Sequence, residues 1–358
     1  MGNLLKSRAI TLSTMTVVLA MAAAPLCAQQ PAATKPATSQ ATVPVTVKNF
    51  QRAESDKYFG DTVKMGGFGK FFHYRTPTPI QDQKVVKMNR DTLYSAAIFD
   101  LDAGPVTVTL PEAGKRFISM LIINEDHYAP LPVFYAPGTL TLTKEQAGTR
   151  YVMAAVRTLA DFENPADIKI ANAVQDKIQV QQAGIGKFEV PNWDPVSQNK
   201  IRDTLAVLQS MSGATTERRM GKKEEVDPVL HLLATATGWG LNPPEAAVYN
   251  NVYPKANDGK TMHTLTVKDV PVDGFWSISV YNEKNFFEKN DLNSYSINNL
   301  TAKPNPDGSF TIQFGGCTKT TPNCLVTPAK WSYQVRQYRP RKEIIDGSWK
   351  FPEAKPAQ

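Results

Sequence analysis

The densest group of ionisable side chains in the chain follows an apolar run. Asn124, Glu125, Asp126 and His127 come directly after the segment Phe117–Ile123, which reads as a buried strand. A loop with two carboxylates and an imidazole can hold a general acid and a general base. Neighbouring side chains of an extended segment point to opposite faces, so Glu125 and Asp126 meet one substrate only where the chain turns. The group predicts either a catalytic loop or a structural turn.

A second polar group stands at the predicted start of a strand. Asn89, Arg90 and Asp91, followed by Tyr94, supply an amide, a guanidinium, a carboxylate and a phenol. Such a set can bind a sugar or a carboxylate ligand. The same residue types also form turns in which an Arg–Asp pair ties a loop together. The sequence alone does not decide between a ligand site and a structural turn.

Aromatic and amide side chains recur in the second half of the chain, at Trp276, Tyr281 and Asn282. Exposed aromatic rings form platforms for carbohydrates, whereas a protein core buries them. We therefore count these three residues with Asn89, Arg90, Tyr94, Asn124 and His127 as candidate ligand contacts. Glu125, Asp126 and Asp91 are the candidate catalytic carboxylates.

Several familiar catalytic patterns do not occur in the sequence. There is no Gly-x-Ser-x-Gly elbow, no His-Glu-x-x-His helix and no phosphate-binding glycine loop. The four histidines, His73, His127, His231 and His263, are far apart. The sequence therefore predicts neither a metal site nor a cofactor.

The first residues resemble a secretory signal. Lys6 and Arg8 precede an uncharged, mostly apolar stretch from Ile10 to Ala24, and Cys27-Ala28 follows. This pattern predicts a signal peptide over residues 1–28 and a periplasmic or secreted protein. A retained membrane anchor is the alternative, and lipidation of Cys27 is disfavoured because the bulky Leu26 precedes it. No later segment is long and apolar enough for stable insertion into a membrane.

The remaining charge and cysteines fit an exported protein. Loss of Lys6 and Arg8 lowers the net charge from +7 to +5, and no basic run or zinc-finger spacing indicates nucleic-acid binding. Cys317 and Cys324 are separated by six residues rich in Thr, Pro and Asn. They predict a disulfide across a turn, which would stabilise the fold by about 2–3 kcal/mol.

Hydrophobic periodicity divides the rest of the chain into a linker, two β-rich parts and a helical part. The linker spans residues 29–47, the first β domain with its opening helices 48–160, the helical insertion 161–241 and the second β domain 242–358. The segments with helical spacing are Asn49–Phe72, interrupted at Gly66-Gly67, and Ile168–Val180, Gln198–Ser212 and Pro228–Thr237. The strand candidates are Leu93–Phe99, Val106–Leu110, Phe117–Ile123, Leu140–Leu142, Tyr151–Val156, Leu265–Val267, Trp276–Tyr281, Tyr295–Ile297, Phe310–Phe314 and Trp331–Val335.

The two β-rich parts share a short repeat. Phe117-Ile118-Ser119, followed by Asn124-Glu125, aligns without a gap onto Phe275-Trp276-Ser277, followed by Asn282-Glu283. Four mostly apolar residues separate the shared words in both copies, as expected for a buried strand that ends in a polar turn. The repeat predicts two related sandwiches that arose by duplication.

Short sequence words resemble a known pair of domains. Asn89-Arg90-Asp91-Thr92-Leu93-Tyr94-Ser95 resembles domain of unknown function 1254. The words that resemble domain of unknown function 1214 are Gly274-Phe275-Trp276-Ser277, Tyr281-Asn282, Tyr295-Ser296-Ile297 and Arg336-Gln337-Tyr338-Arg339-Pro340. The resemblance implies a mainly β (α+β) fold with two jelly-roll-like β-sandwich domains, short N-terminal helices and a helical insertion between the halves. It implies no reaction, and Ser294 stands where many relatives have an arginine.

Two functional hypotheses follow. In the first, an exported envelope protein binds a saccharide or another small polar ligand between its two sandwiches, without catalysis. In the second, a hydrolase cleaves a glycan or amide bond with Glu125, Asp126 and Asp91 as acid and base. The sequence does not decide between them, and it leaves open whether the chain forms a homo-oligomer.

Overall fold

The first β-rich part is a sandwich of two sheets. The computed structural model of the chain describes residues 41–83, 86–212 and 219–357. A five-stranded sheet has the order β1-β2-β7-β4-β5, and a three-stranded sheet with the order β6-β3-β8 packs against it. Phe99 and Met120 from the larger sheet meet Val108 from the smaller one in a shared core. The strands are β1 (Phe72–His73), β2 (Thr92–Asp100), β3 (Val106–Leu110), β4 (Ile118–Asn124), β5 (Phe134–Tyr135), β6 (Gly138–Leu142), β7 (Tyr151–Leu159) and β8 (Gln179–Gln182).

The second β-rich part is also a sandwich. Its two four-stranded sheets have the orders β12-β11-β15-β9 and β14-β13-β10-β16. Ile278, Ile312 and Trp331 are fully buried in the core between them. The strands are β9 (Ala247–Val252), β10 (His263–Val267), β11 (Trp276–Tyr281), β12 (Ser296–Asn298), β13 (Phe310–Phe314), β14 (Cys324–Leu325), β15 (Ser332–Tyr338) and β16 (Lys355–Pro356). The fold is therefore mainly β, with two jelly-roll-like sandwiches, as the sequence predicts.

The two copies of the sequence repeat have the same structure. β4 and β11 occupy equivalent places, because the antiparallel order β5-β4-β7-β2 matches β12-β11-β15-β9. Each strand ends in the same turn: the side-chain oxygens of Asn124 and Asn282 accept two backbone N–H bonds from the residues two and four positions later. His127 and Asn285, the equivalent third residues after these asparagines, both have a positive φ, of 65° and 64°. A repeated strand and turn supports the predicted duplication.

Within the described part of the chain, one helix precedes the first sandwich in sequence, and two helices separate its last strand from the second sandwich. α1 is anchored at both ends, because Phe59 packs against the first sandwich and Phe50 packs against Leu205 and Leu233 of later helices. The helices are α1 (Phe50–Lys64), α2 (Lys144–Ala147), α3 (Pro165–Gln175), α4 (Pro195–Met211), α5 (Pro228–Thr237) and α6 (Lys342–Ile345), with short 3₁₀ turns at Ile80–Asp82 and Leu101–Ala103. Across the described residues, no helix is long and apolar enough to span a membrane.

Capping residues explain where three of these helices begin. Asn164, Asp194 and Asp227 each accept two backbone N–H bonds through a side-chain oxygen, and proline follows each of them. This combination satisfies N–H groups that a helix start leaves free. These caps fix the starts of α3, α4 and α5 at the prolines.

Two segments differ from the sequence-based predictions. The helix predicted over Ile168–Val180 ends at Gln175, and β8 follows and pairs with β3. The described part of the predicted linker packs against the fold: the Val45 N–H donates to Ser197, and Val45 is only 4% exposed. The predicted signal peptide over 1–28 and linker residues 29–40 lie outside the described residues.

The predicted disulfide between Cys317 and Cys324 is present. Because it closes a short loop, replacing both cysteines with serine should lower the free energy of unfolding by about 2 kcal/mol. Equilibrium urea denaturation of the oxidised chain measures this loss, and reduction of the native chain should reproduce it. Equal stability of the oxidised and reduced chains would contradict a stabilising role.

Candidate functional site

The two sandwiches meet across a polar interface. One face of sheet β12-β11-β15-β9 contributes to the core of the second sandwich, and the other face carries Ser277, Ser279 and Arg336, all of them buried. Asp91, just before β2, reaches this face. The Ser277 hydroxyl donates to its carboxylate at 2.6 Å, and the Ser296 hydroxyl lies 3.4 Å away. Asp91 therefore connects the two sandwiches.

Arg336 is the main cation of this interface. Its guanidinium donates to the Ser279 hydroxyl at 2.8 Å, to the Tyr281 hydroxyl at 2.6 Å and to the backbone carbonyl of Lys87 at 2.8 Å. Burial raises the pKa of Asp91, and the positive charge of Arg336 opposes that rise. Tyr281 is fully buried and donates to the Met88 carbonyl at 2.9 Å. These contacts make Asp91 and Tyr281 parts of an internal network that holds the sandwiches together.

Asn89 and Tyr94 belong to the same interior. The Asn89 amide donates to the Tyr94 hydroxyl at 3.0 Å, and its oxygen accepts the Asp91 N–H at 2.8 Å. The guanidinium of Arg157, on β7, lies 5.6 Å from the Tyr94 ring and donates to Asn242 at 2.9 Å. Arg157 and Asn242 were not predicted as site residues, because they approach from distant segments.

Arg90 faces a groove at the edge of this interface. Its guanidinium lies over the rings of Phe162, from the first half, and Tyr295, from the second, at 5.7 and 5.3 Å from their centres. The groove has a volume of about 320 Å³. We call it the junction groove. Its lining comes from both sandwiches and consists of Arg90, Asp91, residues 160–163, residues 292–298, Thr301, Thr321 and residues 323–325.

The junction groove presents both hydrogen-bond donors and acceptors. Glu163 lies on one wall, where burial raises the pKa of its carboxyl group and the positive charge of Arg90 lowers it. On the other wall Asn293 adds an amide and Ser296 a hydroxyl, whereas the Asn323 amide is hydrogen-bonded within the protein. Of these groove residues, the sequence identified only Arg90 and the neighbouring Asp91, since the others come from segments far apart in the chain.

Glu125 and Asp126 lie at a different place, beside helix α1. Arg52 of α1 donates to Glu125 at 3.3 Å and to Asp126 at 2.7 and 2.9 Å. The Glu125 carboxylate also accepts the Tyr151 N–H at 3.0 Å. The Glu125 side chain is 7% exposed and that of Asp126 is 44% exposed. Arg52 is therefore shared by the two carboxylates predicted as acid and base.

Asp56, also on α1, is the most perturbed carboxyl group of this cluster. One oxygen accepts the Trp193 indole N–H at 2.8 Å, and the other is buried without a hydrogen-bond partner. Burial, with a further contribution from the charge of Glu125, raises the pKa of Asp56 to about 7. Across the described residues, no three His, Cys, Asp or Glu side chains are arranged to hold a metal ion. The sequence missed Arg52 and Asp56 because helical periodicity does not show what a helix packs against.

Asn124 and His127 have structural partners. The Asn124 oxygen caps the turn, and its amide donates to the Ala147 carbonyl at 2.9 Å. His127 is fully buried, accepts the Gly240 N–H at 2.8 Å and contacts the Thr235 hydroxyl at 2.8 Å. Burial holds the pKa of His127 far below its ordinary value. The imidazole is therefore neutral and fixed in place.

The three candidate catalytic carboxylates do not meet in one site. The backbone carbonyl of Asp91 accepts the Ala160 N–H, just beyond the end of β7, whereas Glu125 accepts the N–H of Tyr151 at its start. Nine residues of extended strand separate these points by about 30 Å. Asp91 therefore cannot act on the same bond as Glu125 and Asp126, which corrects the arrangement proposed from the sequence.

The remaining candidates also differ from the sequence-based interpretation. Trp276 is 3% exposed and packs against Phe310 and Phe351 in the second core, so it offers no face to a sugar. Asn282 caps its turn, with its side-chain oxygen occupied by two backbone N–H groups. The aromatic side chains at the junction groove are Phe162 and Tyr295 instead.

The fold and the groove define a tandem β-sandwich protein with a polar cleft between its halves. The chain matches two family models in tandem, protein of unknown function DUF1254 over residues 68–126 and protein of unknown function DUF1214 over residues 249–342. The two matches, in this order along the chain, confirm the resemblance seen in the sequence words.

Solved structures include proteins of similar fold. The VPA0106 protein from Vibrio parahaemolyticus superposes with a TM-score of 0.66 at 18% identity, over 87% of this chain and 98% of that one. An uncharacterised protein from Burkholderia cenocepacia gives a TM-score of 0.45 at 14% identity, over 83% and 84% of the two chains. No curated protein is a significant match to the chain. The first structural match supports the fold, and neither assigns an activity.

Proposed function

We propose that the protein binds a small polar ligand of the saccharide type in the junction groove. The observation that carries this proposal is the position of Arg90, whose guanidinium lies over one ring from each sandwich at the floor of a cleft lined by both. A cleft of about 320 Å³ is within the size range of small-molecule sites. Its occupant would touch both halves at once.

The lining chemistry favours hydroxyl-rich ligands. Arg90 supplies only donors, Glu163 supplies acceptors when ionised, and the amide of Asn293 supplies both. A sugar hydroxyl both donates and accepts, so it can pair with every one of these groups. A strongly anionic ligand would meet Glu163 and Asp161, which lie on the same wall.

A hydrolase acting on a glycan or amide bond is the second candidate. It is favoured by one observation: the half-exposed Asp126 lies beside Glu125, whose pKa is raised by burial. Carboxyl groups in different environments can divide the roles of acid and base. Under this hypothesis Glu125→Gln abolishes turnover while the fold stays intact. Activity that survives this substitution would overturn the catalytic assignment.

We further propose that the protein works outside the cytoplasm, in the periplasm or as a secreted protein. Two features support this: the signal-like pattern over residues 1–28, and the disulfide between Cys317 and Cys324, which is typical of oxidising compartments. Fractionation of cells that express the full chain, with detection of a C-terminal tag, tests the proposal. Recovery of the uncleaved chain from the cytoplasm alone would contradict it.

A thermal-shift screen of the full chain tests ligand binding. The probes are saccharides, glycopeptides, small carboxylates and divalent metal salts. A probe that binds only the native state adds about 2.7 kcal/mol of stability at a concentration one hundred times its Kd. We expect a saccharide to raise the melting temperature and the Arg90→Ala variant to lose at least tenfold in affinity for it.

Two further variants make the test specific to the groove. Glu163→Gln removes a charge from the groove wall without a large change of shape, so it should also weaken binding. Arg341→Ala removes an exposed arginine that pairs with Asp273 elsewhere, and it should leave the affinity unchanged. A saccharide that binds Arg90→Ala as tightly as the native chain does would show that the groove is not its site.

A further inference from the structure

A second cleft continues the junction groove. Its volume is about 440 Å³, and both clefts are lined by Ala160, Asp161, Asn298 and Thr301. We call it the side cleft. Its other lining residues lie on the loop before β4, at the end of β7, on helix α3 with its cap Asn164, and on the turn after β12. A ligand longer than the junction groove would therefore extend into the side cleft.

The charged pair in the side cleft is already engaged with the protein. Arg116 makes two hydrogen bonds to the Asp167 carboxylate, at 2.5 and 3.0 Å, and a third to the Leu159 carbonyl at 2.5 Å. Asp167 also accepts the Asp161 N–H at 2.8 Å. These groups hydrogen-bond to each other, so a sugar in the side cleft would have to compete for them.

Another polar side chain of the side cleft is occupied as well. The Asn164 oxygen caps helix α3 by accepting the N–H groups of Ala166 and Asp167. This oxygen therefore satisfies N–H groups at the start of the helix, so it is not available to accept a hydrogen bond from a ligand. This differs from the junction groove, where Glu163 and Asn293 present polar groups on the walls.

Besides the exposed Lys115, the side cleft offers apolar side chains to a ligand. Ile170 is 56% exposed and Leu300 is 62% exposed, one on the first half and one on the second. Val174 is buried to 8% exposure between them and the first core. Contact with an apolar group would remove Ile170 and Leu300 from water, which is favourable.

We propose that the ligand is amphiphilic, with a sugar head in the junction groove and an alkyl or aryl group in the side cleft. This inference rests on the proposed function, because the head is the saccharide proposed to bind near Arg90. The proposed ligand class is therefore glycosides with an apolar aglycone. An unsubstituted oligosaccharide, which needs polar partners along its whole length, is the competing occupant.

Titration calorimetry with a series of alkyl glycosides tests this inference. The probes are methyl, butyl and hexyl β-glucoside and the matching galactosides, used below their micelle-forming concentrations with the full chain. A fully buried methylene group is worth roughly a fourfold gain in affinity. Since the side cleft is open to solvent, we expect hexyl glycosides to bind about twentyfold more tightly than methyl glycosides.

Serine substitutions separate the side cleft from the junction groove. In the Ile170→Ser/Leu300→Ser double variant, hexyl glycosides should bind less than about threefold more tightly than methyl glycosides. The affinity for the methyl glycoside itself should equal that of the native chain. The control is Val207→Ser, which replaces an exposed apolar residue of α4 outside both clefts and should preserve the full gain.

The outcomes distinguish the two proposals. If hexyl glycosides bind no better than methyl glycosides, or if the double variant keeps the gain, the inference about the side cleft is wrong. The junction-groove proposal then stands as long as Arg90→Ala weakens every probe. If maltotriose binds more tightly than maltose, while a longer alkyl chain does not raise the affinity, the side cleft binds sugar and the inference is wrong. If no probe binds the native chain, both proposals fall.

Discussion

Replacement of Arg336 with methionine is expected to lower the free energy of unfolding by about 3–5 kcal/mol. Arg336 is 2% exposed, donates to Ser279, Tyr281 and the Lys87 carbonyl, and lies near the fully buried Asp91. Methionine fills much of the volume but leaves the acceptors unsatisfied and the Asp91 charge without its cation. Equilibrium urea denaturation, followed by circular dichroism, measures the change.

Two controls show whether the loss comes from the buried network. Arg341→Met removes an exposed arginine paired with Asp273, and it should change stability by less than about 0.5 kcal/mol. Adding Asp91→Asn to Arg336→Met should cost less than the sum of the two single substitutions, because it removes the stranded charge. A change below about 1 kcal/mol for Arg336→Met would contradict the role given to this residue.

Asp56→Asn is expected to stabilise the protein above pH 7, by about 4 kcal/mol. The pKa of Asp56 is raised from 3.8 to about 7 in the folded state. The folded chain therefore holds a proton that the unfolded chain releases, and the stability from this group is complete below pH 3.8 and lost as the pH rises to 7. Asparagine is always neutral, so its advantage should appear between pH 4 and 7 and stay constant above that.

The measurement is urea denaturation of both chains at several values between pH 4 and pH 9. Asp61→Asn is the matched control, since Asp61 lies on the same helix and is half exposed beside Lys64. Its effect should stay within about 0.5 kcal/mol at every pH. Stability curves for Asp56→Asn and the native chain that run parallel from pH 4 to pH 9 would show that Asp56 is not perturbed.

Local patterns in the sequence were sufficient for most strands and helices. Val106–Leu110, Trp276–Tyr281 and Phe310–Phe314 form strands with the predicted bounds, and Pro228–Thr237 forms a helix. Each has a regular apolar period and a turn or cap residue next to it. β8 was missed because Gln179–Gln182 has one apolar residue in four, and its pairing with β3 depends on a distant partner.

The repeat explains why the most conspicuous polar cluster was hard to interpret. Asn124 and Asn282 cap the same turn in the two sandwiches, so the asparagine and the positive φ that follows belong to the fold. Glu125 and Asp126 add charges that the second copy does not reproduce fully, and Arg52 from α1 pairs with both of them. Sequence order showed the cluster but not the cation that pairs with it.

The junction groove was only partly visible in the sequence for the same physical reason. Arg90 stands in a recognisable polar word, but its ring contacts come from Phe162, after β7, and from Tyr295, more than 200 residues later in the chain. A groove between two sandwiches exists only after both have folded and docked. Residue types therefore indicated a candidate ligand site, and the docked structure was needed to show the groove in which we propose it.

Hydrogen–deuterium exchange of the full chain, with and without the tightest-binding glycoside, is the most direct test of the proposed ligand site. Binding in the junction groove should slow exchange of backbone amides in residues 160–163, 292–298 and 323–325. Amides near Arg52 and Glu125, about 30 Å away along β7, should exchange unchanged. Protection confined to residues 52–56 and 125–128 would contradict the groove and move the site to the carboxylate cluster beside α1.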